Sequence, residues 1–295
     1  MQQTTIKYPV STKGIGLHSG CEVALRLEPS GANEGIRFFR IDKDNEAIVA
    51  NSSNVHNTVM STTLQSESRD DVKISTIEHL MSALYAYEID NVNIFVDNEE
   101  IPILDGSGLE YCELLDKAGT CELLAPKEVF KINKTIEVKD PNDSKKFVKI
   151  EPSAQVEFQY EIAFAHPSIG QQKMQFVCDK HSYKEEIALA RTFGFAYDLE
   201  KLKAKGLAKG ASMQNAIAMD EEKILNPEGL RCENEFVRHK ILDAMGDLAV
   251  LGKKVIGKYS AFAGSHTLNH LLTKEILKQQ AYEVQNADET LLRSE

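Results

Sequence analysis

His239 and Asp243 stand four residues apart in the run Phe236-Val237-Arg238-His239-Lys240-Ile241-Leu242-Asp243. Four residues is just over one helical turn, so in a helix the imidazole and the carboxylate lie one above the other and reach a common point. Asp247 repeats the spacing one turn further on. At about 100° per residue, Val237, Ile241, Ala244, Met245, Leu248 and Ala249 share one side of this helix, and His239, Lys240, Asp243, Gly246 and Asp247 share the other. On charge pattern alone the second side also fits an ordinary solvated face. Such faces are usually built from Glu and Lys pairs, however, and a His with two Asp at single-turn intervals suits a metal ion.

A third donor would complete a site, and Glu78-His79 offers one. This pair opens a segment in which Ile77, Leu80, Met81, Leu84 and Tyr85 recur at helical spacing, directly after Ile74-Ser75-Thr76, where Ser or Thr can cap a helix. Two imidazoles and one carboxylate give zinc three ligands and leave the fourth position for water. Zinc lowers the pKa of such a water, and Glu78, next to a ligand histidine, is placed to take its proton. Read alone, Glu-His is a common dipeptide and describes a partly exposed helix start equally well. Iron(II) or cobalt(II) would accept the same donors.

Thiolate ligands are not indicated. The five cysteines are scattered with no CxxC pair, which argues against a disulfide framework and against a zinc finger. A formal charge of −11 over 295 residues, with no long basic run, argues against nucleic-acid binding. Neither a signal peptide nor a membrane-length apolar run is present, so the cytoplasm is the expected location and no stable membrane insertion is expected.

The segments around these helices must position them. Residues 22–27 and 35–40 alternate as strands, and 91–96 returns to strand alternation after the helix at Ile77. A loop at Asp105-Gly106-Ser107-Gly108 and a helix over 111–118 follow. Ala125-Pro126-Lys127-Glu128 reads as a linker, and beyond it 130–138 and 147–150 read as strands around a turn at Asp140-Pro141-Asn142. The spacing then predicts a helix over 183–191, a Gly- and Lys-rich stretch to Gly210, a helix over 235–251, a strand over 255–262 and a last helix from Leu268. Helix, strand, loop and helix follow Glu78-His79 and Arg238-His239 in the same order, about 160 residues apart. An internal duplication predicts an α+β fold of two similar domains, 1–125 and 126–295. Each would be a two-layer sandwich of sheet and helices, with the active site between them.

Several strings together resemble one family, the UDP-3-O-acyl-N-acetylglucosamine deacetylases, zinc enzymes of the committed step of lipid A biosynthesis in Gram-negative bacteria. They are Gly14-Ile15-Gly16-Leu17-His18-Ser19-Gly20, Ile74-Ser75-Thr76-Ile77-Glu78-His79-Leu80, Glu100-Ile101-Pro102-Ile103-Leu104-Asp105-Gly106-Ser107, Ala190-Arg191-Thr192-Phe193-Gly194-Phe195, Glu235 to Asp243, and Gly264-Ser265-His266. In the family's order they cover nearly the whole chain.

The resemblance implies that His79, His239 and Asp243 bind one zinc ion, with iron(II) as an alternative, and that Glu78 is the general base. It implies that His266 stabilises the oxyanion and protonates the leaving amine, that Asp247 orients His266, and that the Thr192 hydroxyl donates to the oxyanion. It also implies substrate contacts at Lys240, Phe164, Phe193, Leu17, Ser61, Thr62, Gly210 and Ala211. An insert over about 193–218 would form an apolar passage for the acyl chain, lined by small or apolar residues such as Leu199, Leu202 and Leu207. The expected partner is a small UDP-linked acylated glucosamine, bound by a monomer. Departures from better-known members around Val59 to Thr63 leave acyl-chain length open, and a related metal-dependent amidohydrolase acting on a different acylated sugar is the competing reading.

Overall fold

The computed structural model describes residues 1–288, so 289–295, the end of the expected second domain, lie outside the described residues. The fold is α+β. In the first half, Val10–Ile15 pairs with Glu22–Pro29 and Ile36–Arg40 with Glu46–Val49, both antiparallel. Helix α1, Glu78–Ala86, then leads to Val92–Val96. That strand enters between the two hairpins, antiparallel to Glu22–Pro29 and parallel to Ile36–Arg40. Helix α2, Leu109–Ala118, follows. Val23, Leu25 and Leu27 alternate inward, as do Val92, Ile94 and Val96, which gives the sheet one apolar face.

The second half repeats each step. Ile136–Lys139 pairs with Phe147–Glu151 and Val156–Ala163 with Gln171–Val177. After an insert carrying the short parallel strands Phe193–Phe195 and Ile217–Met219 and helix α3, Ala196–Ala204, comes helix α4, Glu235–Ala249. Lys254–Phe262 then enters between the hairpins, antiparallel to Phe147–Glu151 and parallel to Val156–Ala163, and helix α5, His266–Lys278, follows. The flanking strands match as well. Gln2–Ile6 pairs antiparallel with Thr120–Pro126, and Glu128–Ile132 with Tyr282–Asn286. The order and direction of the five central strands repeat in both halves, as a duplicated α+β unit requires. The flanking pairs meet their sheets differently, since Glu128–Ile132 also runs parallel beside Lys254–Phe262, whereas Gln2–Ile6 meets the first sheet through an isolated bridge from Thr5 to Asn91.

The structure departs from the sequence reading in several elements. Where one strand is predicted over 130–138, two form, because the chain leaves its partner Tyr282–Asn286 and crosses to pair with Phe147–Glu151. The helix predicted over 183–191 is a single turn, Lys180–Ser182, capped by the Asp179 carboxylate and running into a π-type turn, Tyr183–Ile187. Residues 190–192 are left free to reach α4. The Gly- and Lys-rich stretch contains α3, none of whose residues is fully buried.

Candidate metal centre and active site

α1 and α4 pack on each other, and a Cβ on Gly246 would overlap the carbonyl oxygen of Glu78. The absent side chain brings the first turn of α1 against the polar side of α4. All nine residues of α1 are buried, so its N-terminus also lies inside the protein. The Ser or Thr cap predicted from Ile74-Ser75-Thr76 does not form. Ile77 is the N-cap and supplies no side-chain bond, while Thr76 takes φ +58° and donates its hydroxyl to Glu100 Oε1 at 2.9 Å. Glu100, buried, also accepts from the His18 and Ser19 amides at 2.8 Å, which ties the Gly-rich loop at 14–20 to this helix start.

His79, His239 and Asp243 converge, each buried, with one ligand atom from each lying within 4.8 Å of the others. Asp243 Oδ1 is 3.6 Å from His79 Nε2 and 3.4 Å from His239 Nε2. Tetrahedral ligands on bonds of about 2.0–2.1 Å stand about 3.4 Å apart, so this spacing suits a zinc-sized ion. The donors have suitable protonation states too. His239 Nδ1 donates to the Ala190 carbonyl at 3.1 Å, leaving Nε2 as a lone pair, and burial pushes its pKa down to about 3. Burial opposes ionisation of Asp243, but His239 and Lys240 overcome it and hold the carboxyl well below the usual carboxylate range. The Lys240 ammonium donates to Asp243 Oδ2 at 2.6 Å. His79 Nδ1 is buried and has no hydrogen-bond partner among the described residues. The residues present fit a metal ion.

Beside this cluster lie Glu78, His266 and Asp247. Glu78 Oε1 is 3.9 Å from His266 Nε2, and burial raises the Glu78 pKa. His266 Nδ1 donates to Asp247 Oδ2 at 2.8 Å. Burial alone would lower the His266 pKa, but Asp247 and Glu78 carry it up to about 10, so the imidazolium is the resting form at neutral pH. Asp247 is held in turn by Asn269 Nδ2 at 2.7 Å and by the Thr62 hydroxyl at 2.6 Å. Tyr259 donates to Asn269 Oδ1 at 2.6 Å.

Thr192, Phe164, Phe193 and Lys240 line one cleft with His239, of about 610 Å³. Thr192 is fixed through its backbone, its N–H donating to Gly106 O and its carbonyl accepting from Ile217, both at 2.8 Å. Its neighbour Arg191 is buried and bonds Glu235, at the start of α4, through Nε at 2.9 Å. The insert crosses to the first half, where Gly210 donates to Leu17 O at 3.0 Å and a Cβ on Gly210 would overlap Gly16 O. Ala211 donates to Ala208 O at 3.3 Å within the insert. Ser61 and Thr62 are buried at 4% and 2% exposure. Met60, Lys146, Lys201 and Lys205 also line the cleft; Lys146 escaped the sequence reading, and Lys201 and Lys205 put charge in an insert read there as an apolar passage. The four-residue spacing of Lys201 and Lys205 would have paired them had α3 been recognised.

A family model described as LpxC, UDP-3-O-acyl N-acetylglycosamine deacetylase, matches residues 3–278. The chain is 54% identical over 285 residues to a UDP-3-O-acyl-N-acetylglucosamine deacetylase of Helicobacter pylori, covering 96% of this chain and 94% of that protein. It is 52% identical over 285 residues to the protein of the same name from Helicobacter hepaticus, covering 96% and 93%. It is 50% identical over 291 residues to that of Campylobacter jejuni, covering 98% and 97%.

Proposed function

The chain belongs to the UDP-3-O-acyl N-acetylglycosamine deacetylase family, and from that premise we propose how its residues carry out the reaction. As a member it is a hydrolase acting on an amide bond: it removes the N-acetyl group of UDP-3-O-acyl-N-acetylglucosamine and releases acetate, the committed step of lipid A biosynthesis. His79, His239 and Asp243 hold one zinc ion, with iron(II) the alternative. Bound there, the ion supplies Lewis acidity to the amide carbonyl and to the attacking water.

Glu78 takes the proton from that water at Oε1, the carboxylate oxygen facing His266. His266, charged through Asp247 and Glu78, stands beside the developing oxyanion and delivers a proton to the leaving amine. Thr192, anchored by Gly106 and Ile217, aims its hydroxyl at the same oxyanion. Lys240, Phe164 and Phe193 bind the nucleotide-linked head group, and Lys146, Lys201 and Lys205 add positive charge suited to a diphosphate. Leu17, Ser61, Gly210 and Ala211, together with the insert over 193–218, border the acyl chain. The two halves, 1–125 and 126–295, act as domains, and a monomer suffices because both contribute to one site. We place the enzyme in the cytoplasm; among the described residues no helix is long and apolar enough to cross a membrane.

The convergence of His79, His239 and Asp243 beside Glu78 carries this reading. It is tested by incubating purified protein with UDP-3-O-acyl-N-acetylglucosamine with and without a chelator while counting bound metal. Acetate release should need the metal, and metal-loaded protein that releases none overturns the reading.

A further inference from the structure

Thr62 spends all three of its polar groups on the two helices of the site. Its backbone N–H donates to Glu78 Oε2 at 3.1 Å, and its carbonyl accepts from the amide of Ile77, the N-cap of α1, at 3.4 Å. Its hydroxyl donates to Asp247 Oδ1 on α4 at 2.6 Å. With only 2% of the residue exposed and the hydroxyl committed to a carboxylate, the side chain is not free to contact substrate. These bonds also sort the oxygens around the reacting atoms. Glu78 Oε2 is occupied, which leaves Oε1 to face His266 Nε2, and Asp247 Oδ1 is occupied, which leaves Oδ2 for His266 Nδ1 and Asn269.

We propose that Thr62 is a positioning residue that sets the proton acceptor on α1 and the proton donor oriented by α4 against each other. The proposal rests on the roles given above to Glu78 and His266. Through Thr62 the first turn of α1, which lacks a side-chain cap of its own, is tied to the carboxylate that orients His266.

The test compares wild type, T62V, T62S, D247A and the T62V/D247A double variant as metal-loaded protein. T62V keeps the shape and removes the hydroxyl, and kcat should fall on the order of 10- to 100-fold, with KM and metal content little changed. T62S should recover most of that loss. T62V should add less than about twofold to D247A, because the hydroxyl acts through that carboxylate. Without substrate, the downfield His266 Nδ1–H proton resonance should move in T62V and return in T62S. A T62V kcat within about twofold of wild type, a loss confined to KM, losses that multiply with D247A, or an unmoved resonance would each overturn the proposal. If T62V does not fold, T62A is judged by the same measures. A wild type that releases no acetate defeats the assigned reaction instead, and the resonance then still decides the role of Thr62.

Discussion

Gly246 faces the carbonyl oxygen of Glu78 so closely that a Cβ would overlap it, which leaves no space for a side chain. Glu78 and His79 move with α1, while His239 and Asp243 move with α4, so this contact sets the distance between the two sources of ligands. G246A should cost about 1–3 kcal/mol of stability through overpacking. It should also lower both metal stoichiometry and the rate of acetate release, measured together on one preparation. A variant that keeps full metal and full rate would show that the helices find their spacing elsewhere.

Replacing Glu78 by Gln preserves the shape and the acceptor for the Thr62 amide but removes the base. Turnover of E78Q should drop on the order of 10²- to 10⁴-fold with metal content unchanged. Metal analysis beside a single-turnover assay checks this, and wild-type turnover in E78Q would remove Glu78 from the proton transfer.

The state of His266 should appear in the pH profile. Its pKa lies above the ordinary imidazole value, at about 10, so the charged form persists through neutral pH and is lost as pH rises through about 10. The rate should decline over that alkaline range. D247N removes the carboxylate that sustains the charge, so the decline should move to lower pH, toward the ordinary imidazole range. An alkaline limb that stays in place in D247N would assign it to another group.

Arg191 and Glu235 form a buried pair at the junction of the 190–192 segment and α4, and Glu228 and the Gly229 carbonyl take the remaining guanidinium bonds. E235A leaves a buried cation without its main partner and should destabilise the protein by about 3–5 kcal/mol. The damage should extend to catalysis, since Ala190 O holds His239 and Thr192 follows directly. Chemical denaturation and kcat of the folded fraction read the two effects separately, and a change below about 1 kcal/mol would contradict the pair's importance.

Much of this site is legible in the sequence because helical spacing is itself geometry. His239, Asp243 and Asp247 fall on one face by count alone, and the repeated order of elements brings Glu78-His79 into an equivalent place. The strand reading over 130–138 fails because one run of alternating residues serves two neighbours. Helix α3 goes unseen because it buries no residue fully, so no apolar stripe marks it. The bonding of Thr62 is also invisible: it sits in Ser61-Thr62-Thr63, where each hydroxyl resembles the next, and its carboxylate partner is 185 positions away. Asn269 is nearer in sequence, 22 positions from Asp247, and Tyr259 is 10 from Asn269, but the strand and helix that carry them must pack before they stand behind Asp247.

The matching topology of the halves puts His79 and His239 at corresponding places, in the first turn of the nine-residue α1 and early in the 15-residue α4. Two copies of a single half, docked as these halves are, would already bring a pair of imidazoles together, as His79 and His239 stand here with ring centroids 5.0 Å apart. What such a symmetric pair would lack is the difference between its sides. Here one helix carries Glu78, and the other carries Asp243 and the Asp247 that orients His266. Joining the copies in one chain allows each to change without its twin, so proton acceptor and proton donor need not be the same residue in the two halves.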